Sequence, residues 1–162
     1  MMSSLRSPCF GALALVFLSV DAFPQCPTNG LAFVVNKANA TEGLSMAQLR
    51  RLILGDLRNW PDKKKVSLIT PNPQSAAFKC VLSSVVRMSD GEYHRFIASM
   101  GFRGEEPLEL YFADSGPAAA KLVASNPGGI AIVETGAIGA ISSAVRVLRI
   151  NGKEPGESGY PL

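Results

Sequence analysis

The chain has 162 residues, of which 47% are hydrophobic and 18% charged, and it carries a formal net charge of +3. That balance suits a single ordinary domain with one buried core and leaves no room for two. The one basic run, Lys63-Lys64-Lys65, follows a Trp60-Pro61-Asp62 turn without interleaved aromatics, so it reads as a solvated turn, and no nucleic-acid role is indicated.

Residues 1–22 read as a secretory signal peptide. Arg6 precedes an apolar run over residues 10–20, and Val20-Asp21-Ala22 presents small residues at its first and third places, which puts cleavage after Ala22. The run is about 11 residues, too short to cross a bilayer as a helix, and no membrane span is expected in the mature chain. Phe23-Pro24-Gln25 lacks the small residues that lipid attachment before Cys26 needs. The expected product is a periplasmic or secreted domain over residues 23–162, with an irregular tail from about residue 151 that is rich in Gly and Pro.

Export changes the reading of the cysteines, since disulfides persist in oxidising compartments. Cys26 and Cys80 are candidates for a bridge closing a loop of over fifty residues. The alternative is a buried free thiol at Cys80, which sits in an apolar helical pattern. Neither has metal-site spacing.

In chain order, residues 31–35 (LAFVV) form a short apolar run that fits a strand buried on both faces. Ser45 and Gln48 have the capping-box spacing and open a helix whose apolar face is Met46, Leu49, Leu52 and Ile53, stopped by Gly55 and Asp56. A second strand is predicted over residues 66–69 (VSLI). The two prolines of residues 70–75 (TPNPQS) exclude a helix and make a strand-to-helix loop, and Ser75 caps the next helix. Ser89 and Glu92 repeat the capping-box spacing. Residues 104–107 read as loop, and Asp114 or Ser115 caps a helix with Pro117 near its start. A buried strand is predicted over residues 130–133 (IAIV), residues 136–143 fit either helix or loop, and residues 145–150 (VRVLRI) alternate as a half-buried strand does.

Strands separated by helices imply an α/β fold, a single sheet with helices on both faces. The landmarks also resemble, in order, the small phosphate-binding-protein-like domains of the type II periplasmic solute-binding protein superfamily. The matching pieces are residues 31–39 (LAFVVNKAN), 44–55 (LSMAQLRRLILG) with 60–62 (WPD), 89–96 (SDGEYHRF), 102–104 (FRG) and 126–133 (NPGGIAIV). The resemblance implies about one lobe of a two-lobed receptor, with the lobe that would come first absent. A complete cleft is therefore not expected within this chain.

In such phosphate receptors, the resemblance implies, this lobe supplies a strand-to-helix loop carrying an Arg followed by Ser, Gly and Thr. Unpaired amides and the positive helix end there favour a small oxyanion. Here the corresponding loop keeps Ser75, with Thr70, Asn72 and Gln74, but has no arginine and two prolines without donors. The candidate ligand-binding set is Thr70, Asn72, Gln74 and Ser75, with Asn36 and Lys37 expected nearby; the structural reading is that Ser75 merely caps its helix. Arg103 is a further basic residue to watch.

Nothing points to catalysis. The one histidine outside the signal segment, His94, lies on a helix, and no nucleophile elbow, zinc motif or phosphate-cradling glycine loop is present. No cofactor or metal is expected. Two readings follow. The first is an exported solute-binding-like domain, resembling the substrate-binding component of a phosphate or oxyanion ABC transporter, with a degraded anion loop. Its partners would be an oxyanion such as phosphate, and a membrane transporter or a protein completing the missing lobe. The second is a non-ligand-binding interaction or structural domain of the cell envelope.

Overall fold

A computed structural model describes residues 26–106, 108–140 and 143–162; the expected signal peptide, residues 1–22, lies outside the described residues. The core is built on β1 (Leu31–Asn36), whose six residues are all buried. It runs antiparallel to both neighbours, β5 (Gly129–Glu134) and β6 (Val145–Ile150). β3 (Ser67–Thr70) is parallel to β5 and to β4 (Glu109–Phe112), and β2 (Gly43–Leu44) is parallel to β6. The single sheet has the order β2-β6-β1-β5-β3-β4.

Strand side chains alternate between two faces of unequal bulk. Leu31, Phe33, Leu68, Ile130 and Ile132 face the larger layer, formed by α1 (Met46–Ile53), α2 (Ala76–Val81) and α3 (Asp90–Phe102). Ala32, Val34, Ile69 and Ala131 face α4 (Gly116–Ser125), whose own inner side is Ala119, Ala120 and Val123. Small residues on both surfaces let a single helix close that face. Helices on both faces of one sheet are the architecture expected from the sequence.

The helices start where side chains can supply acceptors to unpaired amides. Ser45 and Ser89 each form a complete capping box, with Gln48 and Glu92 reaching back. Ser75 and Ser115 cap α2 and α4 through Phe78 N–H and Ala118 N–H. α2 continues through a π-helical turn, Leu82–Val86, ended by Arg87 at φ 58°. The Tyr93 hydroxyl donates to the Ile53 carbonyl at 2.9 Å and satisfies an end carbonyl of α1, while its ring meets Phe78 edge-on at 5.8 Å.

The strand predicted over residues 66–69 lies one residue later, at Ser67–Thr70, and residues Thr135–Ala140 of the ambiguous glycine-spaced stretch form a 3-10 helix. β4 has no counterpart in the sequence reading. Its four residues are too few to show a period, and as an edge strand it is only half buried. The tail is irregular, as expected, yet Tyr160 and Leu162 pack against the larger core layer.

Burial pushes the Tyr160 phenol up to about 12, and the more deeply buried Tyr93 is raised further. A phenol raised in the fold adds stability that is fully present below its unfolded value of about 10. That contribution is lost as pH climbs through about 12. Absorbance titration at alkaline pH should show Tyr160 ionising late, with unfolding advancing over that window. Tyr160→Phe should remove the Tyr160 step and flatten the corresponding part of the stability loss.

Candidate functional site

Because β3, β4 and β5 are parallel, their carboxyl ends share one rim of the sheet. Three connections leave that rim, the one after β5 passing directly into the 3-10 helix Thr135–Ala140. Residues 71–75 lead from β3 into α2, and residues 113–115 lead from β4 into α4. Between them lies a cleft of about 320 Å³, lined by Asn72, Ser75, Asp114, Ser115, Gly116 and Glu134 among others. Open α/β sheets receive ligands at the carboxyl ends of their strands.

Backbone donors line the cleft. Among the first helical amides, those of the lining residues Ala77 in α2 and Gly116 in α4 make no hydrogen bond among the described residues, since each capping serine serves the third amide instead. Pro117 removes one further donor from α4. Asn72 is folded into its own turn: its Oδ1 accepts from Gln74 N–H at 2.8 Å and its carbonyl from Ser75 N–H at 2.9 Å. Its side-chain amide is left as a donor. The exposed carboxylates of Asp114 and Glu134 line the cleft as well, and no Lys or Arg among the described residues does. The site therefore pairs donors on two helix starts with acceptors on its rim.

Of the residues expected from the sequence, Asn72 and Ser75 line this cleft. Thr70 is buried, with its Oγ1 3.5 Å from the Tyr111 carbonyl that accepts from it. Gln74 faces away, accepting from Lys79 Nζ at 3.2 Å and donating to Asp90 at 3.5 Å.

Asn36 and Lys37 are not brought to the loop. β1 is antiparallel to β5 and β3, and Val35 stands opposite Ile130, so Asn36 falls level with the start of β3 and the loop begins at its far end. Asn36 instead closes the C-terminal end of α4, its Nδ2 donating to the carbonyls of Val123 and Ala124 at 2.8 and 3.0 Å. Lys37 is exposed.

The sequence reading missed Asp114 as a lining residue, taking it only as a possible cap, and missed Glu134 altogether. The signal for Glu134 was its place directly after the buried run 130–133, at the carboxyl end of a strand.

Cys26 and Cys80 are joined by a disulfide with a Cα separation of 5.0 Å. It ties the segment before β1 to α2, whose start carries Ser75. Arg103 caps the end of α3, donating to Glu105 at 2.6 Å and to Ser99 at 2.8 Å, away from the cleft. His94 is half exposed and lies 3.1 Å from Asp90 one helical turn back. No cluster of three or more metal-ligating side chains occurs among the described residues.

A second cavity, of about 500 Å³, lies beside β2, α1 and the Trp60-Pro61 turn. Its lining is largely apolar, with Leu44, Leu57 and Trp60. Its one charged residue, Asp62, is paired with Lys64 at 2.5 Å, which holds the carboxyl below the usual range.

No family model matches the chain, and no curated protein matches it. Solved structures do. An ABC-type phosphate transport receptor from Vibrio cholerae superposes with a TM-score of 0.59 at 20% identity, over 78% of this chain and 48% of the receptor. A putative phosphate ABC transporter substrate-binding protein with bound phosphate, from Clostridium perfringens, gives 0.60 at 15% identity, over 78% and 46%. PstS from Borrelia burgdorferi gives 0.62 at 13% identity, over 77% and 48%. The likeness shows the fold: an α/β domain corresponding to one lobe of phosphate-binding proteins. The chain spans less than half the length of the structures it matches.

Proposed function

We propose that this chain is an exported solute-binding domain, related in function to the substrate-binding components of phosphate ABC transporters, acting in the periplasm or outside the cell. The observation that carries the proposal is the cleft at the carboxyl ends of β3, β4 and β5, with unpaired amides from two helix starts along it. Two of the structures sharing this fold are described as phosphate transport components, one with phosphate bound.

The rim chemistry narrows the solute. Asp114 and Glu134 repel a bare anion, and no cationic side chain offsets them. A protonated oxyanion suits both kinds of group: its oxygens accept from the amides and its hydroxyl donates to a carboxylate. Phosphate carries such a proton near neutral pH and sulfate does not.

Calorimetric titration of the mature domain should therefore give weak phosphate binding, with a Kd of about 1 mM, or about −4 kcal/mol, and weaker binding of sulfate. Asp114→Asn with Glu134→Gln should narrow that difference by admitting sulfate. Equal affinities for the two ions in the unaltered domain, or no heat from either, would overturn the reading. The second reading, an interaction domain of the cell envelope, is favoured by the same lack of a cationic side chain, and silence in both titrations would select it.

A further inference from the structure

We propose that β4 is a docking edge for a second copy of this chain, two β4 strands pairing antiparallel about a two-fold axis at Tyr111. This goes beyond the solute cleft and does not depend on it. β4 ends the sheet, and only its β3 side is paired. Ala113 N–H donates to the Thr70 carbonyl of β3, and the Tyr111 carbonyl accepts from Thr70 Oγ1. By the alternation of a strand, the backbone groups of Leu110 and Phe112 point outward. They have no hydrogen-bond partner on that side among the described residues.

Those outward groups ask for a strand, and the side chains suit a copy of the same one. Tyr111 is 47% exposed and Phe112 53%, so two of the four large apolar side chains that are strongly exposed among the described residues lie on this one four-residue edge. Edges of this kind are usually blunted by lysine, proline or a bulge, and β4 has none of these between its ends.

With the axis at Tyr111, Leu110 and Phe112 of one copy exchange both backbone bonds with Phe112 and Leu110 of the other. The two Tyr111 rings meet as a non-hydrogen-bonded pair. Glu109 then stands opposite Ala113 of the partner, not opposite the partner's Glu109, so the register avoids a like-charge pair. Each Glu109 keeps its own Lys65 at 3.2 Å. The cleft lies at the carboxyl end of β4, so antiparallel pairing sets the two clefts at opposite ends of the joined sheet. The ladder is short, and the dimer it makes is a weak one.

Disulfide trapping under mild oxidation tests the register. Tyr111→Cys places two thiols on the axis, with Cα atoms about 4.5 Å apart, inside the range that a disulfide spans. Glu109→Cys places them four residues out of register, about 13 Å apart, where no bond forms. The expected result is covalent dimer in at least about tenfold greater yield from Tyr111→Cys. In sedimentation, the mass of the unaltered chain should rise towards twofold with concentration. Phe112→Pro, which removes an outward N–H and leaves the β3 ladder intact, should abolish the rise. Equal trapping from the two cysteine variants, or a mass that stays at one chain at millimolar concentration, overturns the proposal. The trapping result decides the matter even if Phe112→Pro fails to fold.

Discussion

Cys26→Ser should lower the unfolding free energy by about 4 kcal/mol, the largest single loss expected from any exposed position in this domain. The bond joins residues 54 apart, and in the chain-entropy description its stabilisation grows with the loop it closes in the unfolded chain. Cys26 is exposed whereas Cys80 is fully buried, so substitution at residue 26 removes the bridge without placing a hydroxyl in the core. For a domain of this size the melting temperature should fall by about 12–15 °C. Adding reductant to the unaltered domain should reproduce that fall and leave Cys26→Ser unchanged. A variant that melts with the parent, in oxidising and reducing buffer alike, would show that the bridge does not form in solution.

Gly128→Ala should cost about 3 kcal/mol by a different route, steric conflict between backbone segments. A Cβ at residue 128 would lie 2.0 Å from the Lys65 carbonyl oxygen, a contact that no side-chain rotation relieves. Gly128 is also where three elements meet. Its carbonyl accepts from the Trp60 indole at 2.9 Å and from Ser67 N–H at 3.1 Å, and its own N–H donates to Asn126 at 3.0 Å. Moving Lys65 aside would disturb the entry to β3, and moving Gly128 would disturb the entry to β5. Urea denaturation should show the loss as a lower midpoint at an unchanged slope, with quenching of the single tryptophan altered in the native state. A midpoint within experimental scatter of the parent would mean that the two segments part easily.

The legible parts of this fold are those whose cause is local. Ser45 with Gln48, and Ser89 with Glu92, announce helix starts because the capping box is a four-residue arrangement, complete in the sequence. The runs LAFVV and IAIV announce strands because burial on both faces removes every polar residue from them. Strand direction is not local. Nothing in residues 31–39 says that β1 runs antiparallel to β5, and that one fact separates Asn36 and Lys37 from the loop with which the sequence grouped them. It also hides Glu134, whose place at the cleft follows from β3 and β5 being parallel. β4 escaped notice because ELYF is short and half exposed, and its position beside β3 is set by pairing rather than by its own pattern.

Within the candidate site, Asn72 and Ser75 were visible because a capping serine after a proline-rich turn marks a strand-to-helix loop. The second helix start, at Ser115, was visible as a cap but not as a neighbour of the first. Their convergence is a tertiary fact, produced by parallel strands that deliver two connections to one rim.

The most direct test of the solute-binding account is a residue-resolved titration of residues 23–162 with inorganic phosphate, followed through backbone amide resonances. The account predicts saturable shifts centred on Ala77 and Gly116, with smaller changes at Asn72 and Glu134. Amides that do not move at tens of millimolar phosphate would contradict it, and so would shifts confined to residues 39–44 and 60–62 around the second cavity.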